Sequence, residues 1–425
     1  MKFTKVFAFM ALAGLAGSAN ATNGYFAHGY GMSAKGMGGA GIAYPQDTLA
    51  AATNPAGMVH LGNRMDIGLE IFAPDRGFNL GDGGIFDSGF NPVGPGPAAA
   101  SYDGSGSGAM ESWFPIPELG YNRMINNNMS FGVSIFGNGG MNTTYADGDH
   151  PFAGGTGAEV GIDLMQMFIA PTVAYKVNQQ LSVGASLNLV AASFEAKGLE
   201  GLGVASNGKD YSFGAGVRVG AMYQVNNAVT FGATYQTKTN MSKFDDYDTL
   251  FPNAGEFDIP ANYGVGIAFK ANDKLDIAFD VSRIEYEKVD VTGNPATGMA
   301  NGGFGWKNQT IYKLGAAYKY NDGLTLRAGY NYGKNPVELN DPASPMAFTL
   351  NTLAPGIVEK HLTLGFTKAL SKDSSVTGAY MHAFNKKADG VFMVPVNPEQ
   401  TQFWVAPGSL EMSQNAIGLS YNKKL

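Results

Sequence analysis

The chain alternates apolar and polar residues in long segments, and these segments are joined by short turns rich in Asn and Asp. From Leu181 the apolar residues stand at every second position, through Val183 and Leu187, while Ser182 and Asn188 occupy positions between them. A two-residue period is typical of β-strands with one apolar and one polar face. Because the turns recur about every 50 residues, each repeat holds one hairpin followed by a longer loop.

Six of these turns predict a barrel of 14 antiparallel strands. Asn, Asp and Gly tolerate the positive φ that tight hairpins require. An even strand number, with short turns at one end and long loops at the other, is characteristic of bacterial outer-membrane barrels. The turns are centred on residues 127, 179, 227, 273, 322 and 372. The predicted strands are 64–72, 115–125, 128–137, 164–177, 180–197, 210–225, 228–238, 257–271, 274–288, 306–320, 323–333, 357–370, 374–385 and 411–424.

The composition supports a barrel that spans a membrane. Charged residues make up 15% of the chain, compared with about 25% in soluble proteins. No segment after residue 21 offers the run of about 20 apolar residues that a spanning helix needs. A soluble barrel or propeller is the alternative, but it would not place Tyr, Met, Leu and Phe on the outer face of so many strands. We therefore predict an all-β, 14-stranded antiparallel transmembrane β-barrel in the bacterial outer membrane.

The first 21 residues have the features of an export signal peptide. Lys2 and Lys5 form a positive start, residues 6–16 are apolar, and Ala19-Asn20-Ala21 is a small-residue cleavage site. We therefore assign residues 1–21 to a signal peptide.

Residues 22–63 do not alternate and contain many small residues, which allow backbone segments to pack closely. We predict that they form a compact N-terminal hatch inside the lumen, and that residues 64–425 form the barrel. A disordered periplasmic tail is the alternative for residues 22–63.

Several hatch residues carry a resemblance to a known family. The stretch 38–43, with Gly38-Gly39-Ala40-Gly41, is followed by Asp47 and then by Asn54-Pro55-Ala56-Gly57-Met58. This pattern resembles the hatch of the FadL family, outer-membrane transporters of long-chain fatty acids and aromatic hydrocarbons. The third strand with its exit, 131–145, and the segment Asp258-Ile259-Pro260 are also similar to that family.

The resemblance implies passive transport of small hydrophobic molecules. In that family the ligand is caught between extracellular loops, enters an internal pocket and leaves sideways where the third strand kinks inward. The residues at that place in this chain are Phe136, Gly137, Asn138, Gly139 and Gly140. Glycine interrupts strand pairing and permits bends, although these glycines could instead begin an extracellular loop.

Two groups of aromatic residues are candidates for ligand contact. The loop residues Phe244, Tyr247, Leu250 and Phe251 could form part of a surface groove, or could simply pack against neighbouring loops. In the hatch, Tyr25 and Phe26 could reach an inner pocket or could pack the plug, alongside the motif residues Asn54, Pro55 and Ala56. On polar strand faces, charged residues are expected to point into the lumen: Asp276, Asp280, Lys313, Lys319 and Arg327.

The sequence offers little support for other functions. The five His residues lack metal-ligand spacing, and no nucleophile motif lies in a strand-to-helix context, so we predict a protein that is not an enzyme and has no cofactor or metal. A net charge of −7 without basic clusters argues against nucleic acid. The expected partners are a hydrophobic ligand, outer-membrane lipid and lipopolysaccharide, and the expected state is a monomer. The alternative function is a surface adhesin or antigen that presents long loops.

Overall fold

Fourteen antiparallel strands close into a barrel in the computed structural model, which describes residues 22–105, 112–146, 150–153, 159–200, 203–298, 302–397 and 399–425. Each strand pairs with its neighbours in sequence, and the first strand closes the barrel by pairing Arg64 with Lys424 of the last. The predicted fold class is confirmed. The predicted signal peptide, residues 1–21, lies outside the described residues. No helix within the described ranges is long and apolar enough to cross a membrane.

The strand bounds agree with the predicted hairpins, although four strands extend well beyond them. The barrel strands are β1 Arg64–Leu80, β2 Phe114–Asn126, β3 Met129–Tyr145, β4 Val160–Lys176, β5 Leu181–Lys197, β6 Asp210–Gln224, β7 Val229–Gln236, β8 Asn262–Lys270, β9 Leu275–Ile284, β10 Gln309–Asn321, β11 Leu324–Gly333, β12 Lys360–Ala369, β13 Ser374–Pro395 and β14 Gln402–Lys424. Four short strands outside the barrel wall, Gly84–Asp87, Pro92–Pro95, Ala100–Asp103 and Asn240–Met241, complete the sheet.

The two faces of the wall follow the alternation in the sequence. On β5, Val183, Leu187 and Leu189 are exposed on the outside, whereas Ser182 and Asn188 are buried in the lumen. Apolar residues on the outside face lipid, and polar residues inside face the lumen. Exposed aromatic residues form two girdles, with Tyr235, Tyr263, Tyr312 and Tyr332 near the long loops and Tyr175, Tyr223, Phe269 and Tyr318 near the short turns.

Residues 22–63, the predicted hatch, pack against the inner faces of the barrel strands. They contain the helix α1, Met32–Lys35, and the 3₁₀ turns Thr48–Ala52 and Pro55–His60. Side chains cap both turns: Asp47 accepts a hydrogen bond from the Leu49 amide at 3.2 Å, and Asn54 accepts one from the Ala56 amide at 3.1 Å. The second turn contacts β4, β5 and β6, so the Asn-Pro-Ala motif lies against the wall.

Carboxylates of the wall hold the hatch in place. Lys35 of α1 forms ion pairs with Glu70 on β1 at 3.0 Å and with Glu118 on β2 at 3.8 Å, and all three side chains are buried. On the opposite side, the Asp280 carboxylate accepts hydrogen bonds from the amides of Gly41 at 2.7 Å and Ile42 at 3.0 Å. The hatch is therefore anchored to both sides of the lumen by charged groups removed from water.

Glycines in the wall allow the hatch backbone to come close. A side chain on Gly184 of β5 would overlap Pro55 and Ala56, and one on Gly329 of β11 would overlap Gly38. These glycines face the lumen at the height of the hatch, so their missing side chains create the space that the hatch occupies.

Candidate functional site: an apolar cavity and an interruption in the barrel wall

A β-bulge interrupts β3 at the position where the sequence places a run of glycines. Gly137 pairs with Met167 of β4 and Gly139 pairs with Gln166, which leaves Asn138 as the extra residue. The strand continues to Tyr145, so these glycines lie within it and do not begin a loop. A bulge bends its strand and increases the local twist, which explains how β3 can leave the line of the wall here.

Beyond this region, β3 lacks its neighbour on one side. The pairing between β2 and β3 ends at Leu119 and Ile135, although both strands continue toward the extracellular end. Further along β3, the Thr144 amide donates to the Gly104 carbonyl of the first extracellular loop at 2.9 Å. The wall between β2 and β3 is therefore interrupted over a bounded stretch within the described residues.

The start of the hatch occupies part of this interruption. Phe26 forms a β-bridge with Gly139, the Ala27 amide donates to the Asn138 carbonyl at 2.9 Å, and the Gly140 amide donates to the Tyr25 carbonyl at 3.1 Å. These bonds satisfy backbone groups of β3 that β2 leaves unpaired. The hatch thus acts as a short substitute strand at the bulge.

Side chains at the bulge point into the protein and join the hatch to β4. Asn138 accepts a hydrogen bond from the Tyr30 hydroxyl at 2.8 Å and donates to Gln166 at 3.2 Å. Phe136 is buried, with its ring centroid 4.9 Å from Tyr30 and 5.4 Å from Phe168. The five residues predicted at the kink therefore lie together beside the hatch.

An apolar cavity lies on the lumen side of β3, β4 and β5, beneath the extracellular loops. None of its lining residues carries a charge, and the free volume between them is only about 40 Å³. Such a site suits a hydrophobic guest, because ligand sites are mostly apolar with few polar anchors. The lining consists of Met141, Ile162, Leu164, Phe194, Leu199, Leu250, Phe251, Phe257, Val291, Gly302, Gly303, Phe304, Leu350 and Leu353.

The loop residues named from the sequence divide between this cavity and the packing behind it. Leu250 and Phe251 line the cavity, whereas Phe244 and Tyr247 do not. Phe244 and Tyr247 pack around Phe194 of β5, with ring centroids 5.9 Å and 4.8 Å away. The Tyr247 hydroxyl accepts a hydrogen bond from the Ala196 amide at 3.0 Å, and burial raises the pKa of this phenol.

Tyr25 and Phe26 separate the apolar cavity from a more polar chamber. Tyr25 is fully buried and lies 6.1 Å, between ring centroids, from Phe257, which lines the apolar cavity. Burial raises the pKa of Tyr25 well above its ordinary value, so its phenol stays neutral. On the other side, Phe26 lines a chamber that also contains Arg218 and Lys313.

Arg218 is the main polar group of this chamber. Its guanidinium donates to the Gln236 side chain at 2.6 Å, to the Asn262 side chain at 3.1 Å and to the Thr53 carbonyl at 3.2 Å. It forms no ion pair with any described residue. The two cavities thus differ in chemistry: the outer one is apolar, and the inner one contains an unneutralised cation.

Most residues of the cavity lining were not predictable from the sequence. Phe194, Phe257, Phe304 and Leu353 come from a strand and three different loops, and no local pattern links them. Only Phe194 carried a possible signal, because a large aromatic residue there occupies the otherwise small and polar inner face of β5. Among the described residues, no group of three or more His, Asp or Glu side chains could hold a metal ion.

Comparison with known proteins identifies the family. A model of the outer membrane transport proteins known as OMPP1/FadL/TodX matches residues 12–391. The chain belongs to this family. The resemblance found in the hatch and in the third strand is therefore confirmed, and this member of the OMPP1/FadL/TodX family is an outer membrane transport protein.

Solved structures support the same fold for this family member. The toluene transporter TodX of P. putida has 19% identity and a TM-score of 0.67, covering 94% of this chain and 99% of its own. A FadL homologue from Pseudomonas aeruginosa has 18% identity and a TM-score of 0.66, with the same coverage. The toluene transporter TbuX of Ralstonia pickettii has 20% identity and a TM-score of 0.62, again covering 94% and 99%. No curated protein matches the chain significantly.

Proposed function

We propose that this protein carries small neutral hydrophobic molecules across the outer membrane by passive diffusion, with release sideways at the β3 bulge. The observation that carries the proposal is the uncharged cavity beneath the loops, which lies next to the interruption between β2 and β3. Met141 of β3 lines this cavity only a few residues beyond the bulge at Asn138. A hydrophobic guest leaving there would enter lipid without crossing the periplasmic side of the hatch.

The substrate class follows from the charge of the two cavities. A neutral hydrocarbon gains from burial against Phe251, Phe257 and Leu353 and needs no counter-charge. Toluene, the molecule carried by the structurally similar transporters TodX and TbuX, is of this kind. We propose that neutral aromatic or aliphatic hydrocarbons are the principal substrates.

Long-chain fatty acids are the second candidate, because Arg218 has no ion-pair partner in the described lumen. A carboxylate that reached the inner chamber would neutralise this cation. The two candidates differ in one measurable property, since only a carboxylate substrate requires Arg218.

The proposal assigns a role to each segment of the chain. Residues 22–63 would close the lumen to water, residues 64–425 would form the conduit, and residues 1–21 would direct export. The protein would act as a monomer, because one barrel contains both the cavity and the exit. A surface adhesin would need neither feature, and the family assignment favours transport.

The test is uptake of labelled toluene and of a labelled long-chain fatty acid by cells that express the protein. Deleting Asn138 removes the bulge, which lets β3 straighten and pair with β2, and toluene uptake should fall at least tenfold. Deleting Gly203, in an exposed loop, is the matched control and should leave uptake unchanged. Equal uptake by both deletion variants, each with a folded barrel, would rule out lateral release at β3.

A second comparison separates the two substrate classes. Arg218→Gln should leave toluene uptake unchanged if neutral hydrocarbons are the substrates, and should abolish fatty-acid uptake if carboxylates use the inner chamber. A dissipated membrane potential should change neither rate, because diffusion through the barrel needs no energy source.

A further inference from the structure

The outer surface of the barrel carries a groove that the transport path does not use. It runs over the lipid-facing side of β9 to β12 and leaves about 510 Å³ of open space between its walls. Its lining consists of Phe279, Tyr312, Leu314, Tyr330, Tyr332 and Lys360.

The groove lies at the level of the outer aromatic girdle. Tyr312 pairs across the sheet with Tyr332, and Tyr332 pairs with Lys360, so the three side chains lie side by side on the outer face. Leu314 and Tyr330 lie one step closer to the middle of the membrane and are also exposed. The groove thus begins at the headgroup level of the outer leaflet and continues into its hydrocarbon region.

A second lysine stands beside Lys360. Lys334 is two residues beyond Tyr332, and the Gly333 amide still donates to the Glu359 carbonyl at 3.0 Å, so the strands remain paired there. Diagonal neighbours on one face of an antiparallel pair lie about 7–8 Å apart. Lys334 and Lys360 are both exposed, so their ammonium groups can reach a common ligand.

Within the described part of the chain, these two lysines lack the ion pairs that most other lysines near the extracellular end of the wall form, and the loop residues Lys243 and Lys288 are alike in this respect. Neither Lys334 nor Lys360 has an ion-pair partner among the described residues. The nearby Glu359 is already engaged by Lys386 at 3.0 Å and by the Asn335 side chain at 2.8 Å. Six other lysines at this end are each paired with a carboxylate: Lys197, Lys209, Lys238, Lys307, Lys386 and Lys387.

We propose that this groove binds one molecule of lipopolysaccharide through its phosphorylated lipid A. A phosphate would lie between Lys334 and Lys360, and an acyl chain would run down past Tyr330 and Leu314. Lysine is a common phosphate ligand, and its long apolar stem can lie on the aromatic surface while the ammonium group reaches the headgroup. A soluble protein partner does not fit, because the lower half of the groove faces hydrocarbon.

The test measures lipid binding to the purified full-length protein by native mass spectrometry. Bisphosphorylated lipid A and the same lipid stripped of both phosphates are titrated separately. The double variant Lys334→Glu/Lys360→Glu should bind bisphosphorylated lipid A at least tenfold more weakly than the unaltered protein. The control, Lys243→Glu/Lys288→Glu, makes the same change in net charge at two exposed loop lysines and should bind normally. Unchanged heat-modifiability on gels verifies that each variant barrel is folded.

Three results would overturn the assignment. The first is equal binding of lipid A by both double variants, and the second is equally tight binding of the dephosphorylated lipid to the unaltered protein. The third is displacement of lipid A by equimolar phosphatidylglycerol, which would show a general phospholipid site. A Leu314→Trp substitution, which fills the groove below the lysines, should weaken binding of both lipid forms.

Discussion

Single residues decide whether the hatch fits inside the barrel. A wall glycine such as Gly184 lies where a side chain would overlap the hatch backbone. A wall carboxylate such as Asp280 accepts hydrogen bonds from two hatch amides. The first feature is a matter of volume and the second of charge. Both features contact residues 22–63 and do not contribute to the outer surface. Substitutions of such wall residues should therefore release the hatch and leave the strands paired.

Replacing Gly184 with Val should displace the hatch. The added side chain would overlap Pro55 and Ala56, and overpacking of this kind costs about 1–3 kcal/mol. Hydrogen exchange should show faster exchange in hatch peptides and unchanged protection in β4 to β6. Gly94→Ala, at a partly exposed glycine where an added side chain would meet no neighbour, is the control. Retained protection of the hatch in the Val variant would contradict this view of the contact.

Hatch docking should weaken in acid because of His28. Burial, the Lys35 charge and the neighbouring His361 lower the pKa of His28 well below its usual value of 6.5. A released hatch therefore binds a proton more readily than a docked one, so docking is strongest above pH 6.5 and weakens as the pH falls below it. Each proton taken up on release contributes up to about 1.4 kcal/mol per pH unit.

Hydrogen exchange of hatch peptides between pH 7.5 and pH 5, corrected for intrinsic rates, measures this dependence. His28→Gln removes the titrating group and should flatten the profile. His382→Gln, on the outer face of β13, should not. A profile that stays equally steep without His28 would assign the pH response to other groups.

At the level of elements, β3 depends on the hatch for part of its hydrogen bonding. The substitute strand formed by Tyr25, Phe26 and Ala27 replaces β2 beyond Ile135. Because hatch and strand share these bonds, movement of one changes the other. Opening of the wall at the bulge is thus linked to the position of the first residues of the hatch.

Replacing Ala27 with Pro should separate these two elements. Proline cannot donate a hydrogen bond, so the bond to the Asn138 carbonyl is lost. We expect faster hydrogen exchange around Gly139 and Gly140 and a higher rate of toluene entry. Ala27→Gly keeps the amide donor and serves as the control. An identical response of the Pro and Gly variants would mean that this bond does not restrain β3.

The element boundaries show what could be predicted from sequence. The turns near residues 127, 179 and 227 begin at Asn126, Asn178 and Asn226, and each Asn side chain accepts a hydrogen bond from the amide two residues on. This local preference of Asn, rather than a positive φ, made the hairpins and the strand number predictable. The ends of β13 and β14 were not, because Gly390, Pro395 and Pro407 interrupt the alternating pattern while the strands remain paired to each other.

The candidate site was predictable only where residues adjacent in sequence determine its structure. The glycine run at 137–140 indicates a bend by itself, but the place where β2 stops pairing depends on the whole barrel. The sequence also did not determine whether the aromatic side chains of the loop 244–251 line an open groove or pack in the interior, since they suit both. Phe194 of β5 decides between these, and it is distant in sequence.

For the whole molecule, the buried ion pairs link the hatch to the closure of the lumen. Lys35 contacts both Glu70 of β1 and Glu118 of β2, two neighbouring strands on the side of the wall interruption. Removing one partner from a buried ion pair is more costly than the pair is worth, because a charge remains without compensation. Buried ion pairs thus hold the hatch next to the proposed exit.

Replacing Lys35 with Met should open the barrel to ions. The two carboxylates would remain buried without a counter-charge, at a cost of about 3–5 kcal/mol. In planar lipid bilayers we expect larger and more frequent conductance steps than for the unaltered protein. Lys243→Met, at an exposed loop lysine, is the control. A variant as silent as the unaltered protein would show that these charges do not keep the lumen closed.

The small free volume of the apolar cavity, about 40 Å³, has a kinetic consequence. Side chains in so full an interior must move aside before a guest can enter, because protein interiors are packed as densely as organic crystals. Each molecule then waits for its predecessor to leave, so throughput should level off as the external concentration rises, and two hydrocarbons supplied together should slow each other. The organism would take up hydrocarbons from dilute sources, and the rate of entry would stay limited when solvents are abundant.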